Sequence, residues 1–137
     1  MSELFSSSNF FDCKAKNNGQ AGFAIRYKSL AWGTNIYASG NALAGVYLFD
    51  GSTFDLCLYD LIESNGSGEK SGGVVALRQS KLSFGEGFSG EFNNNSGYGV
   101  YADCFSWTLN MNRASFSGNT LGDTYINTSN MCFEINE

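Results

Sequence analysis

The stretch Gly45-Val-Tyr-Leu-Phe-Asp-Gly-Ser52 holds the pattern that decides the fold: a glycine and, seven residues later, a serine, on either side of a short apolar segment. The pair occurs five times, at Gly22/Ser29, Gly45/Ser52, Gly73/Ser80, Gly99/Ser106 and Gly122/Ser129. Successive glycines are 23 (45−22), 28 (73−45), 26 (99−73) and 23 (122−99) residues apart. Self-similarity at such a period is typical of repeat architectures.

Each repeat predicts three short strands. An apolar segment such as 46–49 follows the glycine, an alternating segment such as 52–56 begins at the serine, and a third strand ends in an asparagine. The asparagines are Asn18, Asn41, Asn65, Asn95 and Asn119. Such short strands cannot bury a face alone, but turns stacked about 4.8 Å apart bury their inward residues in one continuous column.

The repeat therefore predicts an all-β fold, a right-handed parallel β-helix (solenoid) of about five turns with three short strands per turn. The handedness is the one that parallel crossovers adopt in general. An antiparallel sandwich is the alternative, but it does not explain the constant Gly–Ser offset. We expect one β-helix domain at residues 9–137, preceded by an N-terminal cap or extension at residues 1–8.

Short motifs within the repeat resemble a known family. Phe92-Asn-Asn-Asn95 and Phe116-Ser-Gly-Asn119 resemble the FxxN repeat of polymorphic outer-membrane proteins and related autotransporter passengers, and Gly72-Gly-Val-Val75 is similar to their GGA(I/L/V) element. The wider resemblance is to the pectin-lyase-like parallel β-helices, which include phage tail spikes. It extends from Asn9 to the C-terminus and implies the fold rather than one function. It also implies an extracellular, cell-surface or virion location.

The composition limits the kinds of partner that we expect this chain to bind. The net charge is −5 with eight Lys+Arg, which argues against a nucleic-acid or anionic-membrane surface. No apolar run approaches the roughly 18 to 20 residues of a membrane span, so no membrane insertion is expected. The first eight residues have neither the basic nor the apolar region of an ordinary secretory signal.

The sequence offers few groups for catalysis. It contains no histidine, which excludes Ser-His-Asp and Cys-His arrangements. Carboxylates could act in pairs as in glycosidases, and Asp50, Asp55 and Asp103 are weak candidates. In enzymes of the pectin-lyase-like type the acids cluster with basic partners in a groove, whereas the acids of this chain are scattered. A non-enzymatic role is therefore favoured.

Two residue series favour structural ladders over a binding row, because equivalent side chains in stacked turns can hydrogen-bond along the stack. They are Asn18, Asn41, Asn65, Asn95 and Asn119, and Ser29, Ser52, Ser80, Ser106 and Ser129. The cysteines at 13, 57, 104 and 132 have no CxxC spacing, so no metal or other cofactor is expected and the thiols are expected to be free and mostly buried. The polar segment 66–71 is expected to be a flexible insertion.

Several aromatic residues could form a sugar-stacking platform or fill the core, and their positions in alternating strands favour the core. They are Trp32, Trp107, Tyr37, Tyr47, Tyr98 and Tyr101.

The C-terminal segment 131–137 reads as a further strand with no capping segment, and an uncovered sheet edge favours pairing with another chain. We therefore expect a structural protein that self-associates, end to end or as a trimer, or joins another chain in a fibre, virion or cell-surface appendage, with an adhesive role conceivable for the assembly. The alternative is a glycan-binding or glycan-cleaving module of tail-spike type, with surface polysaccharide as partner.

Overall fold

The computed structural model describes residues 6–103 and 106–127 and shows an all-β chain. The strands in these ranges are β1 (Ser7–Phe11), β2 (Lys14–Lys16), β3 (Ala21–Ile25), β4 (Leu30–Thr34), β5 (Tyr37–Ser39), β6 (Ala44–Leu48), β7 (Thr53–Cys57), β8 (Leu61–Glu63), β9 (Gly72–Ala76), β10 (Lys81–Phe84), β11 (Glu91–Asn93), β12 (Tyr98–Ala102), β13 (Trp107–Leu109), β14 (Ser115–Ser117) and β15 (Gly122–Ile126). A short 3₁₀ helix, Met111–Arg113, separates β13 from β14.

The strands form three parallel sheets of five strands each. Sheet A contains β1, β4, β7, β10 and β13, sheet B contains β2, β5, β8, β11 and β14, and sheet C contains β3, β6, β9, β12 and β15. Since every third strand enters the same sheet, three consecutive strands make one turn, and five turns stack. The parallel β-solenoid predicted from the repeat is confirmed. Its first strand begins at Ser7, inside the segment that the sequence assigns to a cap.

The core runs along the axis of the solenoid. In β7, Phe54 and Leu56 point inward and are fully buried, while the residues between them lie on the outer face. Residues of equal position stack directly: Ala31, Phe54 and Leu82 are neighbours in successive turns of sheet A. A small residue below a large one lets adjacent turns fill the interior at the density of a protein core.

Three kinds of bend join the sheets. The A–B bend, between strands of sheets A and B, varies in length from turn to turn: 12–13, 35–36, 58–60, 85–90 and 110–114. In turn 4 its additional residues carry Phe88 into the core, where its ring packs on Phe84 and Phe92.

The other two bends are more regular. The B–C bend places a residue of positive φ, such as Asn17 or Ser64, immediately before the recurring asparagine. The C–A bend places two residues of positive φ immediately before the recurring serine, as at Tyr27 and Lys28.

The recurring glycines have a steric cause. A methyl group on Gly22 would lie 2.8 Å from the carbonyl oxygen of Gly45, one on Gly45 would lie 2.9 Å from that of Gly73, and one on Gly73 would lie 2.6 Å from that of Gly99. Each glycine thus leaves room for the backbone of the next turn. This column continues at Asp123, whose carbonyl oxygen lies 2.6 Å from a methyl built on Gly99.

The sequence pattern placed Gly122 in this column, and that placement is wrong by one residue. Gly122 pairs with Tyr98, and Thr124 pairs with Val100, so Asp123 lies level with Gly99. With Asp123 in the column, the interval from the asparagine is four residues (123−119), as in 22−18, 45−41 and 99−95. The spacing from the asparagine therefore determines which residue enters this column. Glycine is needed in the column only where a backbone group of the next turn occupies the place of Cβ.

Replacing Gly45 by alanine tests this account. The methyl group would also lie 2.6 Å from Cγ2 of Ile62, so that the turns would have to separate. We expect Gly45→Ala to lower the free energy of unfolding by about 1 to 3 kcal/mol, measured by urea denaturation. The control is Gly19→Ala, because a methyl group there meets no atom within 4 Å. Equal stability of the two variants would contradict the close approach of the turns.

Candidate functional site

The five predicted asparagines lie in one column at the B–C bend. Nδ2 of each donates to Oδ1 of the asparagine one turn later, at 2.7 Å from Asn18 to Asn41, 2.9 Å from Asn41 to Asn65, 3.2 Å from Asn65 to Asn95 and 2.9 Å from Asn95 to Asn119. The backbone N–H of the donor residue reaches the same oxygen in every pair. Donation from one asparagine to another always runs toward the later turn, so this asparagine ladder has a direction.

Every polar atom of an internal rung has a partner. Oδ1 of Asn65 accepts from the backbone and side chain of Asn41, and its Nδ2 donates to Asn95 and to the carbonyl of Ala38 at 3.0 Å. Asn41, Asn65 and Asn95 are at most 1% exposed. Full hydrogen bonding offsets the cost of burying the amides and leaves no group for a ligand. The ladder is therefore part of the scaffold.

The serines form a second column at the C–A bend. Ser52 and Ser80 donate their hydroxyls to carbonyl oxygens three residues earlier, both at 2.8 Å, and thereby close the bend. The N–H of Ser29 donates to Oγ of Ser52 at 3.3 Å, and that of Ser80 to Oγ of Ser106 at 3.1 Å. Ser129 lies outside the described residues. These hydroxyls are also engaged within the scaffold.

The three candidate acids are not assembled into a reaction centre. Asp50 lies at the C–A bend, with Oδ1 3.4 Å from Nη1 of Arg78. Asp55 lies on the outer face of sheet A and accepts a hydrogen bond from Ser83, and partial burial raises the pKa of its carboxyl. Asp103 follows β12, two turns above Asp50, and accepts a hydrogen bond of 2.9 Å from the hydroxyl of Tyr101. Each acid serves a different local contact.

The aromatic residues are placed differently from the prediction. Trp32, Tyr37 and Tyr47 lie on the outer faces of sheets A, B and C, and the axial core is filled by phenylalanine and aliphatic residues. On sheet C, Tyr101 stacks on Tyr125 with ring centroids 5.0 Å apart. The side chain of Trp107 lies outside the description. Core filling is thus wrong for Trp32 and Tyr37, since they alternate with the inward positions. Tyr101 is instead buried with Ala44 and Val75 in a second apolar cluster on sheet C, against which Tyr47 and Tyr98 pack.

The segment 66–71 is held by hydrogen bonds. Oγ of Ser71 accepts from the N–H groups of Ser67 and Gly68, at 2.9 and 2.8 Å, and donates to the carbonyl of Gly68. Ser71 is 4% exposed. The insertion therefore contains a closed turn whose centre is a buried hydroxyl.

The two cysteines within the described residues carry free thiols. Cys13 and Cys57 are both half-buried. Burial, with the nearby carboxylates of Asp55 and Asp60, raises the pKa of the Cys57 thiol. Cys104 and Cys132 lie outside the described ranges. A raised pKa keeps the Cys57 thiol protonated at neutral pH and makes it a poor nucleophile.

Asp60 is an unusual buried group whose burial the sequence did not predict. It directly precedes β8, where the neighbouring turns have Ile36 and Gly90, and it is 1% exposed. Its Oδ1 accepts the N–H of Ile36 at 2.7 Å, whereas its Oδ2 has no hydrogen-bond partner among the described residues. Burial raises the pKa of Asp60 to about 7. The sequence contains one sign of this burial, because Asp60 occupies the position before the sheet B strand that the apolar residue Ile36 occupies one turn earlier.

Comparison with known proteins adds no relative. No protein-family model, curated protein or solved structure matches this chain. Within residues 6–103 and 106–127, no group of three His, Cys, Asp or Glu side chains is placed to hold a metal ion. The same ranges contain no helix with the length and hydropathy of a membrane span.

Removing one ladder rung should weaken the fold. Asn65→Ala leaves the buried N–H of Asn41 and the carbonyl of Ala38 without their partner. We expect a loss of about 1 to 3 kcal/mol in the free energy of unfolding, measured by urea denaturation. Asn112→Ala is the control, because Asn112 is exposed in the 3₁₀ helix. Equal unfolding midpoints for the two variants would refute a stabilising role for the ladder.

Asp60 should make stability depend on pH. Its carboxyl has a pKa of about 7 in the fold and 3.8 as a model value, so that the folded state binds its proton more tightly. The free energy of unfolding should therefore be highest near pH 4 and fall by up to a few kcal/mol as the pH rises to about 7.

The Asp60→Asn variant isolates this contribution, because its amide does not titrate. We expect it to flatten the fall in stability between pH 4 and pH 7, measured by thermal unfolding across that range. The exposed Glu86→Gln variant should retain the fall. If the stability of Asp60→Asn fell between pH 4 and pH 7 as much as that of the wild type, Asp60 would not titrate in this range.

Proposed function

We propose that this chain is a structural subunit that assembles end to end through the first and fifth turns of its solenoid. The observation that carries the proposal is the direction of the asparagine ladder, because a directional column has two different and complementary ends. A polar column that continues from one copy into the next would extend the hydrogen bonding of the interior across the junction.

The two ends of the ladder differ in what they offer. At the first turn, Oδ1 of Asn18 accepts no hydrogen bond from any described residue, while the corresponding oxygens of Asn41 and Asn65 each accept two. At the fifth turn, the backbone N–H of Asn119 has no acceptor among the described residues, although the N–H of Asn95 donates to the next rung. An acceptor at one end and a donor at the other are complementary when two copies stack in the same direction.

Apolar surface accompanies the donor end. Leu121, Tyr125 and Ile126 of the fifth turn are 45%, 36% and 43% exposed. One turn earlier, the residues aligned with Tyr125 and Ile126 are Tyr101 and Ala102, which are 4% and 0% exposed. Another stacked turn would cover the fifth turn in the same way and would remove apolar surface from water.

This mode of contact determines the kind of assembly. Head-to-tail contacts use two different surfaces of the subunit, so they produce an open filament unless a rotation closes a ring. Sheets A, B and C would then continue from copy to copy. The strand edges at the ends, which otherwise favour uncontrolled pairing, would be paired with those of the neighbouring copy.

The proposed setting is a fibre, or a virion or cell-surface appendage. The resemblance of 92–95 and 116–119 to the FxxN repeats of outer-membrane and passenger β-helices supports an extracellular or surface location. The partner would be a second copy or another chain with a similar solenoid end. The net charge of −5 supports a partner other than nucleic acid.

The test compares assembly of the wild type with that of a variant carrying a charge at the donor end. We expect the wild type to form rods or filaments in negative-stain electron microscopy and concentration-dependent oligomers in sedimentation velocity. Ile126→Lys places an ammonium where the next turn would pack, and should yield monomers. The control Tyr27→Lys places the same charge at the C–A bend, where residue 27 is 72% exposed, and should assemble normally.

A wild type that stays monomeric up to its solubility limit would overturn the proposal. Assembly by Ile126→Lys at the wild-type level would also overturn it, because the contact would then lie on the side of the solenoid. Circular dichroism of both variants separates lost assembly from lost folding.

A further inference from the structure

We propose that Tyr101 and Tyr125 form a modification site, at which a peroxidase with hydrogen peroxide joins their rings as dityrosine and links the fourth turn to the fifth. The two rings stack with their centroids 5.0 Å apart and their planes 7° apart. Tyr98 completes this tyrosine cluster, with its ring centroid 6.0 Å from that of Tyr101 and 5.5 Å from that of Tyr125. Within the described residues, the contacts between two tyrosine rings all lie in this cluster.

The register of sheet C brings the two tyrosines together. Tyr101 and Tyr125 are paired residues of β12 and β15, so their rings project from the same position in neighbouring turns. One turn earlier the column holds Val75, which separates the pair from Tyr47. Because the two rings start from the same position and are nearly parallel, the carbons next to their hydroxyls lie on corresponding edges. These are the carbons that become bonded in dityrosine.

The hydroxyl groups of the tyrosine cluster are not required for packing. The axial core of the solenoid uses phenylalanine, as at Phe84. Tyr101 is buried with Ala44 and Val75 in the second apolar cluster, where a buried phenol needs a hydrogen-bond partner. The hydroxyls give these rings a reactivity toward one-electron oxidants that phenylalanine rings lack.

Asp103 provides an acceptor for the phenolic proton, which a tyrosine must lose together with an electron when it becomes a radical. The hydroxyl of Tyr101 donates to Oδ2 of Asp103 at 2.9 Å. That distance lies within the range of about 2.6 to 3.2 Å over which a proton passes directly to a base. Burial and the neighbouring Asp103 raise the pKa of Tyr101, so its phenol is protonated at neutral pH and its oxidation needs such an acceptor.

The two tyrosines differ in their access to an oxidant, because Tyr125 is 36% exposed and Tyr101 only 4%. The peroxidase removes an electron from Tyr125, whose proton goes to water. An electron then passes from Tyr101 to Tyr125 across the stacked rings, while the proton of Tyr101 moves to Asp103 and Tyr125 takes one from water. The shielded radical on Tyr101 persists until a second oxidation of Tyr125 places another radical beside it.

The two radicals then combine. A carbon–carbon bond forms between the ring carbons next to the hydroxyls, and each of these carbons loses its hydrogen as a proton. Both phenolic oxygens are protonated again, that of Tyr101 by Asp103 and that of Tyr125 by water. The pair thus loses two electrons and two protons in total, and one molecule of hydrogen peroxide takes them up to give two molecules of water.

The test is treatment of the monomer, isolated by size exclusion, with a haem peroxidase and hydrogen peroxide. We expect the monomer to gain the blue fluorescence of dityrosine and to lose the mass of two hydrogen atoms, with a peptide map that shows residues 101 and 125 joined. Tyr101→Phe and Tyr125→Phe should each lose this product. The matched control Tyr27→Phe also removes one tyrosine, at a position that is 72% exposed, and should retain it.

The link should also stabilise the protein. It closes a loop between residues 101 and 125 and so constrains the unfolded chain, as a disulfide does. We expect treatment to raise the midpoint of thermal unfolding of the wild type by about 10 °C and to leave that of Tyr125→Phe unchanged.

Either of two results would overturn the proposal. The first is a treated monomer without a link between residues 101 and 125, including one whose tyrosines couple only between molecules. The second is a wild-type yield of the product in Tyr125→Phe. Phenylalanine keeps the partly exposed ring at this position, so the variant should fold, and circular dichroism checks this. Because the reaction is followed within monomers, the inference does not depend on end-to-end assembly.

Discussion

Each turn of this chain is too small to bury its own apolar residues, and the structure depends on the contact between one turn and the next. Three strands of three to five residues give a turn that is covered only by its neighbours. The stacking brings backbones so close at the glycine column that a carbonyl oxygen occupies the place of a side chain. The asparagine ladder lies beside this column, and its amides pair with one another and with carbonyl oxygens of the sheet B strands. Glycine thus permits the close contact between turns, and asparagine satisfies the polar groups of the adjacent B–C bend.

Asp60 interrupts this otherwise satisfied interior. The amides of the internal rungs are buried with every polar atom paired, whereas Asp60 is buried with one oxygen unpaired. Its neighbours in the column are Ile36 on one side and Gly90 on the other, and Phe88 packs close to the latter. Protonation removes the cost of burying a charge at this place. The scaffold therefore combines polar columns that are insensitive to pH with a buried carboxyl that responds to it.

Much of the fold could be predicted because a solenoid repeats its local rules. The offset between glycine and serine and the recurrence of asparagine predicted the strands, the turns, the five asparagines of the ladder and the four serines among the described residues. The length of the A–B bend in turn 3 could not be predicted, because this bend varies from turn to turn, and the sequence does not reveal which way Tyr59 points. The outward position of Trp32 and Tyr47 was also missed, since alternation shows that neighbours face opposite ways but not which of the two faces inward. The register predicted from Gly122 was wrong because this glycine lies one residue before Asp123, which occupies the position level with Gly99.

The A–B bend has two, two, three, six and five residues in the five successive turns, and yet the register of sheets A and B continues through every turn. The length of the A–B bend can therefore change without a change in the packing of the axial core. Gly87 lies at the outermost part of the longest of these bends, and a side chain built on it would meet no atom within 4 Å. Foreign peptide introduced after this residue would project away from the rod while the strands on both sides kept their partners. In an assembly with one such corner per subunit, inserted segments would form a regularly spaced display along the filament.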